Sequence, residues 1–223
     1  MLVLLRGSGV NRASFLLRKT FRTAEREWLA GRAEMMKEIL SRLADAPVIA
    51  AVKNGEDLEA AMAEENIKVL FLLYGDVCSV GPLIHRARQA GKAVIVHLDL
   101  IEGLESKPVS VRFIREQTEA DGIISTKVAA IKAAKEAGLI AVQRFFVIDS
   151  IAVSNIHKQL EMGAADIIEV LPAVMPKVLR RLAAEVRAPL IAGGLLSDKE
   201  DVIQALSAGA IAVSTTRREL WRQ

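Results

Sequence analysis

The residues with the clearest chemistry are two glycines and two hydroxyl residues near the carboxyl end of the chain. Gly193 and Gly194 end one short apolar run, and Ser214 and Thr215 end the next. Glycines let a backbone approach a phosphate closely, and hydroxyls and N–H groups at the start of a helix donate hydrogen bonds to its oxygens. We therefore predict that these four residues bind a phosphate group. A tight turn with a helix cap is the alternative interpretation.

A histidine and a carboxylate alternate in the segment Val96-His97-Leu98-Asp99-Leu100. Along a strand, this alternation places His97 and Asp99 on the same face of the sheet. Such a pair can transfer protons or hold a hydroxyl of a polyol, while a buried histidine satisfied by a neighbouring carboxylate is the structural alternative. A metal site is not expected, because the chain has three histidines and the other two, His85 and His157, fall in predicted helices.

Charged residues end several other apolar runs. Lys53, Lys127 and Arg144 offer positive groups, and Glu169 and Asp99 offer negative groups that would pair with them in an empty site. Such charges at the mouth of a barrel suit a small phosphorylated polyol, while ion pairs across the fold are the structural alternative. A sugar-phosphate isomerase, aldolase or synthase would use such residues equally well.

The elements that must position these residues are predicted from eight short apolar runs separated by stretches with helical spacing. The runs are Pro47–Lys53, Ile67–Leu73, Ala93–Asp99, Gly122–Thr126, Leu139–Ile148, Asp166–Leu171, Pro189–Gly193 and Ala210–Thr215. Gly91, Gly138, Gly163 and Gly209 come shortly before four of the runs, as expected where a helix ends before the next strand. Eight strand–helix units in one domain predict an α/β fold, a single TIM-type (β/α)8 barrel. The G-x-G-x-x-G turn of the competing open, doubly wound sheet is absent after the first run.

The first 34 residues differ from the rest of the chain in their charge. Residues 1–34 carry seven basic and three acidic residues, whereas residues 35–223 carry 23 basic and 24 acidic residues. We predict that residues 1–34 are a basic amino-terminal extension outside the fold and that residues 35–223 form the barrel. An amphipathic helix from Met35 to Leu43 is expected at the amino end of the barrel. A basic arm that contacts RNA is the functional alternative for the extension.

Composition excludes several classes of protein. No apolar run approaches the roughly 20 residues that a membrane-spanning helix needs, and the opening Met1–Leu5 is too short for the core of a signal peptide. We therefore expect a cytoplasmic protein that contacts no membrane. The single cysteine, Cys78, permits neither an intrachain disulfide nor a thiolate metal cage.

Read together, these segments resemble the glycerol-uptake operon antiterminator regulatory family, from about Met36 to Trp221. The matching segments are residues 47–53 (PVIAAVK), 69–75 (VLFLLYG), 97–104 (HLDLIEGL), 121–127 (DGIISTK), 143–144 (QR), 169–172 (EVLP), 175–177 (MPK), 191–195 (IAGGL) and 212–215 (AVST). Each segment is short, but their number and common order make the resemblance specific. Residues 1–34 have no recognised counterpart in the family.

The resemblance implies a cytoplasmic bacterial regulator, not an enzyme. It would bind glycerol 3-phosphate and then the leader of a glycerol-catabolism messenger RNA, preventing premature termination, without any cofactor. Combined with barrel geometry, it places the phosphate on Gly193, Gly194, Ser214 and Thr215 and the glycerol hydroxyls near His97, Asp99 or Glu169.

The RNA-binding surface is not indicated by any known module, because an RNP-like aromatic strand, a KH loop and a zinc knuckle are all absent from the sequence. The candidate contacts to the RNA backbone are Arg86, Arg88, Lys177, Arg180 and Arg181, on predicted helices. Two other function classes stay open, a barrel enzyme acting on a small phosphorylated polyol or sugar and a metabolite sensor acting on a protein partner. The sequence is compatible with a homo-oligomer but specifies no oligomeric state.

Overall fold

The chain folds as a closed barrel of eight parallel strands that pair in chain order, with the last strand completing the ring against the first. The computed structural model describes the backbone of residues 11–163 and 165–222, and the side chains of residues 28–162 and 165–222. The strands are β1 Val48–Val52, β2 Val69–Leu72, β3 Ala93–His97, β4 Gly122–Ser125, β5 Ile140–Phe146, β6 Ile167–Leu171, β7 Leu190–Gly193 and β8 Ala212–Thr215. This architecture confirms the predicted TIM-type barrel and excludes an open sheet.

Helices alternate with the strands around the ring. They are α1 Asn11–Asp45, α2 Gly55–Ala63, α3 Val80–Gln89, α4 Pro108–Gln117, α5 Val128–Glu136, α6 Ser150–Gly163, α7 Pro176–Glu185 and α8 Lys199–Ser207. Gly91, Gly138 and Gly209 follow helices with φ angles of 77°, 80° and 101°, a region that glycine enters without steric cost. No helix within the described residues is long and apolar enough to cross a membrane.

The core forms two layers because alternate residues of each strand point in opposite directions. Ile95, Ile124 and Ile191 belong to the cluster inside the barrel, whereas Val94, Ile123 and Leu190 belong to the cluster between strands and helices. Both faces of every strand are therefore buried, which is why the strands read in the sequence as continuous apolar runs.

The amino end of the barrel is covered by α1. Ile39 and Leu43, which are 2% and 1% exposed, join the interior cluster, and Met35 and Met36 pack against it. The helix predicted over residues 35–43 is thus the last part of a longer one. The predicted domain boundary at residue 34 falls within α1, where Arg32 pairs with Asp166 at the start of β6. The prediction for residues 1–10 lies outside the described residues.

Candidate ligand-binding site at the carboxyl mouth

A cleft of about 380 Å³ opens at the carboxyl end of the barrel, where β7 and β8 end. Its polar lining comes from Arg144, Ser214, Thr215, Thr216 and Arg217. Its apolar lining comes from Ala51, Leu73, Leu171, Leu195 and Leu196, and Gly194 also lines it. The cleft thus combines hydroxyl and guanidinium groups with apolar walls, as small-molecule sites do.

Two larger grooves lie on the outer surface, between α6 and α7 (about 590 Å³) and between α4 and α5 (about 420 Å³). The ionisable side chains His157 and Glu185 of the first groove pair with each other across the surface. The mouth differs because polar side chains from several strands, including the buried Ser214 and Thr215, converge there. We therefore assign the candidate site to the mouth despite its smaller volume.

A buried ion pair lies at the floor of the mouth. Glu169 is fully buried, and its two carboxylate oxygens accept hydrogen bonds from Ser214 Oγ at 2.5 Å and from Arg144 Nε. The register of β5 and β6 pairs Arg144 directly with Glu169. The terminal guanidinium nitrogens of Arg144 have no hydrogen-bond partner among the described residues, and Arg144 lines the cleft. Glu169 therefore anchors Arg144 while leaving its terminal nitrogens available to an anion.

Gly193 is required by this network because its position has no room for a side chain. A Cβ at Gly193 would come within 2.5 Å of Ser214 Oγ and 2.9 Å of Glu169 Oε1. The turn that follows places Gly194 at φ 78° and Leu195 at φ 61°, with Leu195 72% exposed. A leucine in the left-handed region is strained, and such strain concentrates at ligand-binding turns.

His97 ends β3 and is 3% exposed, and its Nδ1 is buried without a hydrogen-bond partner in the described structure. Burial and the nearby positive charge of Arg144 lower the pKa of His97 to about 4, although Asp99 acts in the opposite direction. The imidazole is therefore neutral near pH 7, with a ring nitrogen that lacks a partner. A neutral imidazole can exchange a hydrogen bond with a hydroxyl.

Asp99 does not lie on the same strand as His97. Our prediction that alternation along one strand places both side chains on the same face is therefore wrong. The strand ends at His97, and Asp99 lies in a short 3₁₀ turn, Leu98–Leu100. Its Oδ1 accepts from Ser106 Oγ at 2.6 Å and Ser125 Oγ at 2.5 Å, and its Oδ2 accepts from Thr126 N at 2.8 Å and Thr126 Oγ1 at 3.0 Å.

These four hydrogen bonds determine both the ionisation and the structural role of Asp99. Burial opposes ionisation of the carboxyl, but the donors of Ser106, Ser125 and Thr126 outweigh that effect and hold the pKa of Asp99 below its usual range. A carboxylate with this many donors is saturated. Asp99 therefore holds the loop after β3 against the end of β4.

The remaining predicted site residues occupy different positions around the mouth. Thr215 lines the cleft, and its Oγ1 accepts from Arg217 N at 3.1 Å. Lys53 and Lys127 follow β1 and β4 with exposed side chains, and neither lines the cleft. The mouth thus gathers Arg144, Glu169, Gly193, Gly194, Ser214 and Thr215, with His97 close enough to Arg144 for their charges to interact.

Sequence reasoning missed Thr216 and Arg217, both of which line the cleft directly after β8. Their position immediately beyond the predicted phosphate hydroxyls is the signal that would have found them. Arg217 adds a second guanidinium to the mouth.

The candidate RNA contacts lie on opposite sides of the barrel. Arg86 and Arg88 are on α3, whereas Lys177, Arg180 and Arg181 are on α7, four units away in a ring of eight. Three of them form ion pairs, Arg86 with Glu59, Arg88 with Asp121 at 2.5 Å and Arg181 with Glu185 at 2.9 Å. These five residues therefore do not form one continuous basic surface.

Among the described residues, no group of three or more histidine, cysteine, aspartate or glutamate side chains is placed to hold a metal ion.

Comparison with known proteins yields one family and several relatives. The family model described as glycerol-3-phosphate responsive antiterminator matches residues 48–221. The protein YgcP of Escherichia coli (strain K12) is 43% identical over 183 residues, which are 82% of this chain and 95% of that protein.

Two crystal structures at 33–34% identity share the fold. The glycerol uptake operon antiterminator regulatory protein of Listeria monocytogenes str. 4b F2365 has a TM-score of 0.75 and is 34% identical, with 78% of this chain and 94% of that chain covered. A glycerol uptake operon antiterminator-related protein of Thermotoga maritima MSB8 has a TM-score of 0.70 and is 33% identical, with 79% and 98% covered. Barrel enzymes such as orotidine 5′-phosphate decarboxylase of Pyrococcus horikoshii OT3, 17% identical with a TM-score of 0.57, show only that the fold is shared.

Proposed function

The chain belongs to the family of glycerol-3-phosphate responsive antiterminators, and from this premise we propose that its barrel is a cytoplasmic, non-catalytic sensor. Glycerol 3-phosphate binds in the carboxyl mouth, and the liganded protein then binds the leader of a glycerol-catabolism messenger RNA. No cofactor takes part in this proposal.

The observation that carries the proposal is the anchored guanidinium of Arg144. Arg144 lines the cleft together with Ser214, Thr215, Thr216 and Arg217, and Glu169 accepts a hydrogen bond from its Nε alone. Arginine presents a fork of donors that matches the oxygens of a phosphate. The phosphate therefore sits between Arg144 and the turn at Gly193 and Gly194, within reach of the residues that end β8.

The glycerol hydroxyls are assigned to the side of the mouth that holds His97. Its unpartnered Nδ1 gains a hydrogen bond from a ligand hydroxyl and thereby removes the cost of a buried polar atom without a partner. Glu169 and Asp99 already accept hydrogen bonds on both of their oxygens. We assign them the task of holding Arg144 and the loop after β3. Lys53 and Lys127 add positive potential from the rim.

A sensor also fits the ionisation of the mouth better than a proton-transfer enzyme does. A general acid or base works best with a pKa near the working pH. The pKa of His97 lies at about 4 and the pKa of Asp99 is lowered, so neither group is poised for proton exchange near neutrality.

The first test is titration calorimetry of the full chain with glycerol 3-phosphate, with glycerol as the control ligand. We expect heat only with the phosphate ester. The variant Thr216→Glu, which adds an exposed negative charge to the lip of the cleft, should weaken binding at least tenfold, or about 1.4 kcal/mol. The matched control Ser154→Glu, on the exposed surface of α6, should bind normally.

The second test is run-off transcription through the leader that precedes a glycerol-catabolism operon of the same genome. We expect read-through to increase when protein and glycerol 3-phosphate are both present. Turnover of the phosphate ester would show an enzyme instead. Equal read-through with and without the ligand would contradict the proposal that the barrel is a sensor of glycerol 3-phosphate.

A further inference from the structure

Most of helix α1 precedes the part of the chain that the family shares. The family model begins at residue 48, three residues after α1 ends. The three relatives are covered over 94–98% of their own lengths but account for only 78–82% of this chain. The amino-terminal part of the long helix therefore lies outside the region that this chain shares with these relatives.

The last part of α1 crosses the amino end of the barrel from one side to the other. Its last residue, Asp45, lies next to β1, and Ile39 and Leu43 fill the amino end of the barrel interior. At the far side Arg32 pairs with Asp166 before β6, and the indole of Trp28 lies over Gly138 before β5. β1 and β5 are opposite each other in a ring of eight strands.

The first half of α1 precedes these contacts along the chain. Residues 11–27 belong to the same uninterrupted helix and add about 25 Å at 1.5 Å per residue. We call residues 11–24 the arm of α1.

The sequence of this arm concentrates positive charge. Between residues 11 and 24 it contains Arg12, Arg18, Lys19 and Arg22 and no acidic residue. The remainder of the chain from residue 35 onward carries 23 basic and 24 acidic residues. The excess of positive charge therefore lies before residue 35, mostly on the first part of α1, whereas the barrel is close to neutral.

We propose that the basic arm of α1, residues 11–24, binds the phosphate backbone of RNA without reading its sequence. The proposal rests on the proposed function, which makes RNA the polyanion that this protein meets. Arginine and lysine on one helix neutralise successive phosphates and release their counterions, so binding strengthens at low salt. The arm contributes affinity for RNA, while the barrel mouth contributes the response to the ligand.

The test measures binding of the full chain to a labelled oligouridine by fluorescence anisotropy, in a salt series between about 50 and 200 mM. The variant Arg18→Gln/Lys19→Gln/Arg22→Gln removes three charges from the arm. The matched control Arg112→Gln/Arg115→Gln/Lys132→Gln removes three exposed charges from α4 and α5. Each phosphate contact contributes about 0.7 to the slope of log K against log salt for single strands, so the arm variant should lose about 2 from that slope. The control should keep the slope of the wild type.

The outcomes separate this inference from the proposed function. If the wild type and the arm variant bind oligouridine with equal affinity and slope, the arm is not the contact, although the sensor function survives. If the wild type binds neither oligouridine nor the operon leader with glycerol 3-phosphate present, the RNA part of the proposed function fails together with the inference. Binding of the wild type to phosphatidylglycerol vesicles but not to RNA would assign the arm to a membrane surface and overturn the proposal. Calorimetry with glycerol 3-phosphate verifies that both triple variants retain a folded barrel.

Discussion

The two ends of the barrel are built from the same eight strands but bury opposite kinds of side chain. At the amino end, Ile39 and Leu43 of α1 close the interior with apolar side chains. At the carboxyl end, the interior positions hold His97, Arg144 and Glu169, which are charged or polar and largely buried.

This difference separates stability from binding. Apolar side chains at the amino end gain free energy from burial and need no partner. Buried charges at the carboxyl end cost free energy unless they are paired, so the fold maintains them by an arrangement of specific partners. Barrel proteins place their sites at the carboxyl end for all chemistries, and the candidate site of this chain lies at that end.

The largest effect is expected from breaking the ion pair at the carboxyl end. Arg144→Met leaves Glu169 fully buried with one remaining donor, Ser214, and should lower the free energy of unfolding by about 3–5 kcal/mol. It should also abolish binding of glycerol 3-phosphate. Urea denaturation and calorimetry measure the two effects. The double variant Arg144→Met/Glu169→Gln should recover most of the stability without the binding, and retained binding in either variant would refute the role given to Arg144.

A slightly smaller effect, confined to stability, is expected at the amino end. Leu43→Ala removes a side chain that is 1% exposed and should cost about 2–5 kcal/mol in urea denaturation. Because no mouth residue is touched, the folded variant should bind glycerol 3-phosphate like the wild type. The control Leu29→Ala, on the same helix and 52% exposed, should change stability by less than about 0.5 kcal/mol. Loss of ligand affinity in Leu43→Ala would contradict the division between the two ends.

The pH dependence of stability should come partly from His97. Its pKa in the folded protein is about 4, below the ordinary 6.5, so the unfolded chain takes up a proton at higher pH than the folded protein does. The contribution is fully present above pH 6.5 and is lost as the pH falls toward 4, by roughly 3 kcal/mol in total. Urea denaturation across this range should show a steeper decline for the wild type than for His97→Gln, which retains Asp99. Parallel curves for the two proteins would argue against a buried, neutral His97.

The smallest effect is expected at Gly193. Gly193→Ala forces a Cβ against Ser214 and Glu169 and should cost about 1–3 kcal/mol while weakening the affinity for glycerol 3-phosphate. Gly55→Ala is the control, since nothing lies within 4 Å of its added Cβ. Thermal unfolding of the two variants compares the positions. Equal stability of the two variants would mean that Ser214 and Glu169 move aside for the added methyl group at little cost in free energy.

The sequence predicted the barrel well because its strands are buried on both faces and therefore appear as separate apolar runs. It predicted Arg144 and Glu169 as residues of opposite charge near the mouth, but their pairing depends on the register between β5 and β6, which no local pattern reveals. The alternation of His97 and Asp99 failed because the strand stops at His97. The donors that hold Asp99, such as Ser106 and Thr126, come from other segments of the chain.

Lys53 and Lys127 show the same limit of sequence reasoning, because both were predicted as site residues and neither lines the cleft. Lys53 ends one apolar run and Lys127 directly follows another, yet both side chains are exposed, whereas Arg144 lies within its run and lines the cleft. A position at the end of a strand therefore predicts which end of the barrel a residue occupies. Whether the side chain enters the cleft depends on where the strand stops and how the following loop turns.

His97 has a practical consequence for observing the mouth in solution. The chain has only three histidines, and the other two, His85 and His157, lie on outer helices against Glu119 and Glu185. A nitrogen-15 spectrum of the imidazole rings would therefore contain few signals, with one of them arising from the buried carboxyl end of β3, near Arg144. A ligand that engages Nδ1 would shift that signal while leaving the other two in place, so the protein carries its own spectroscopic reporter of occupancy.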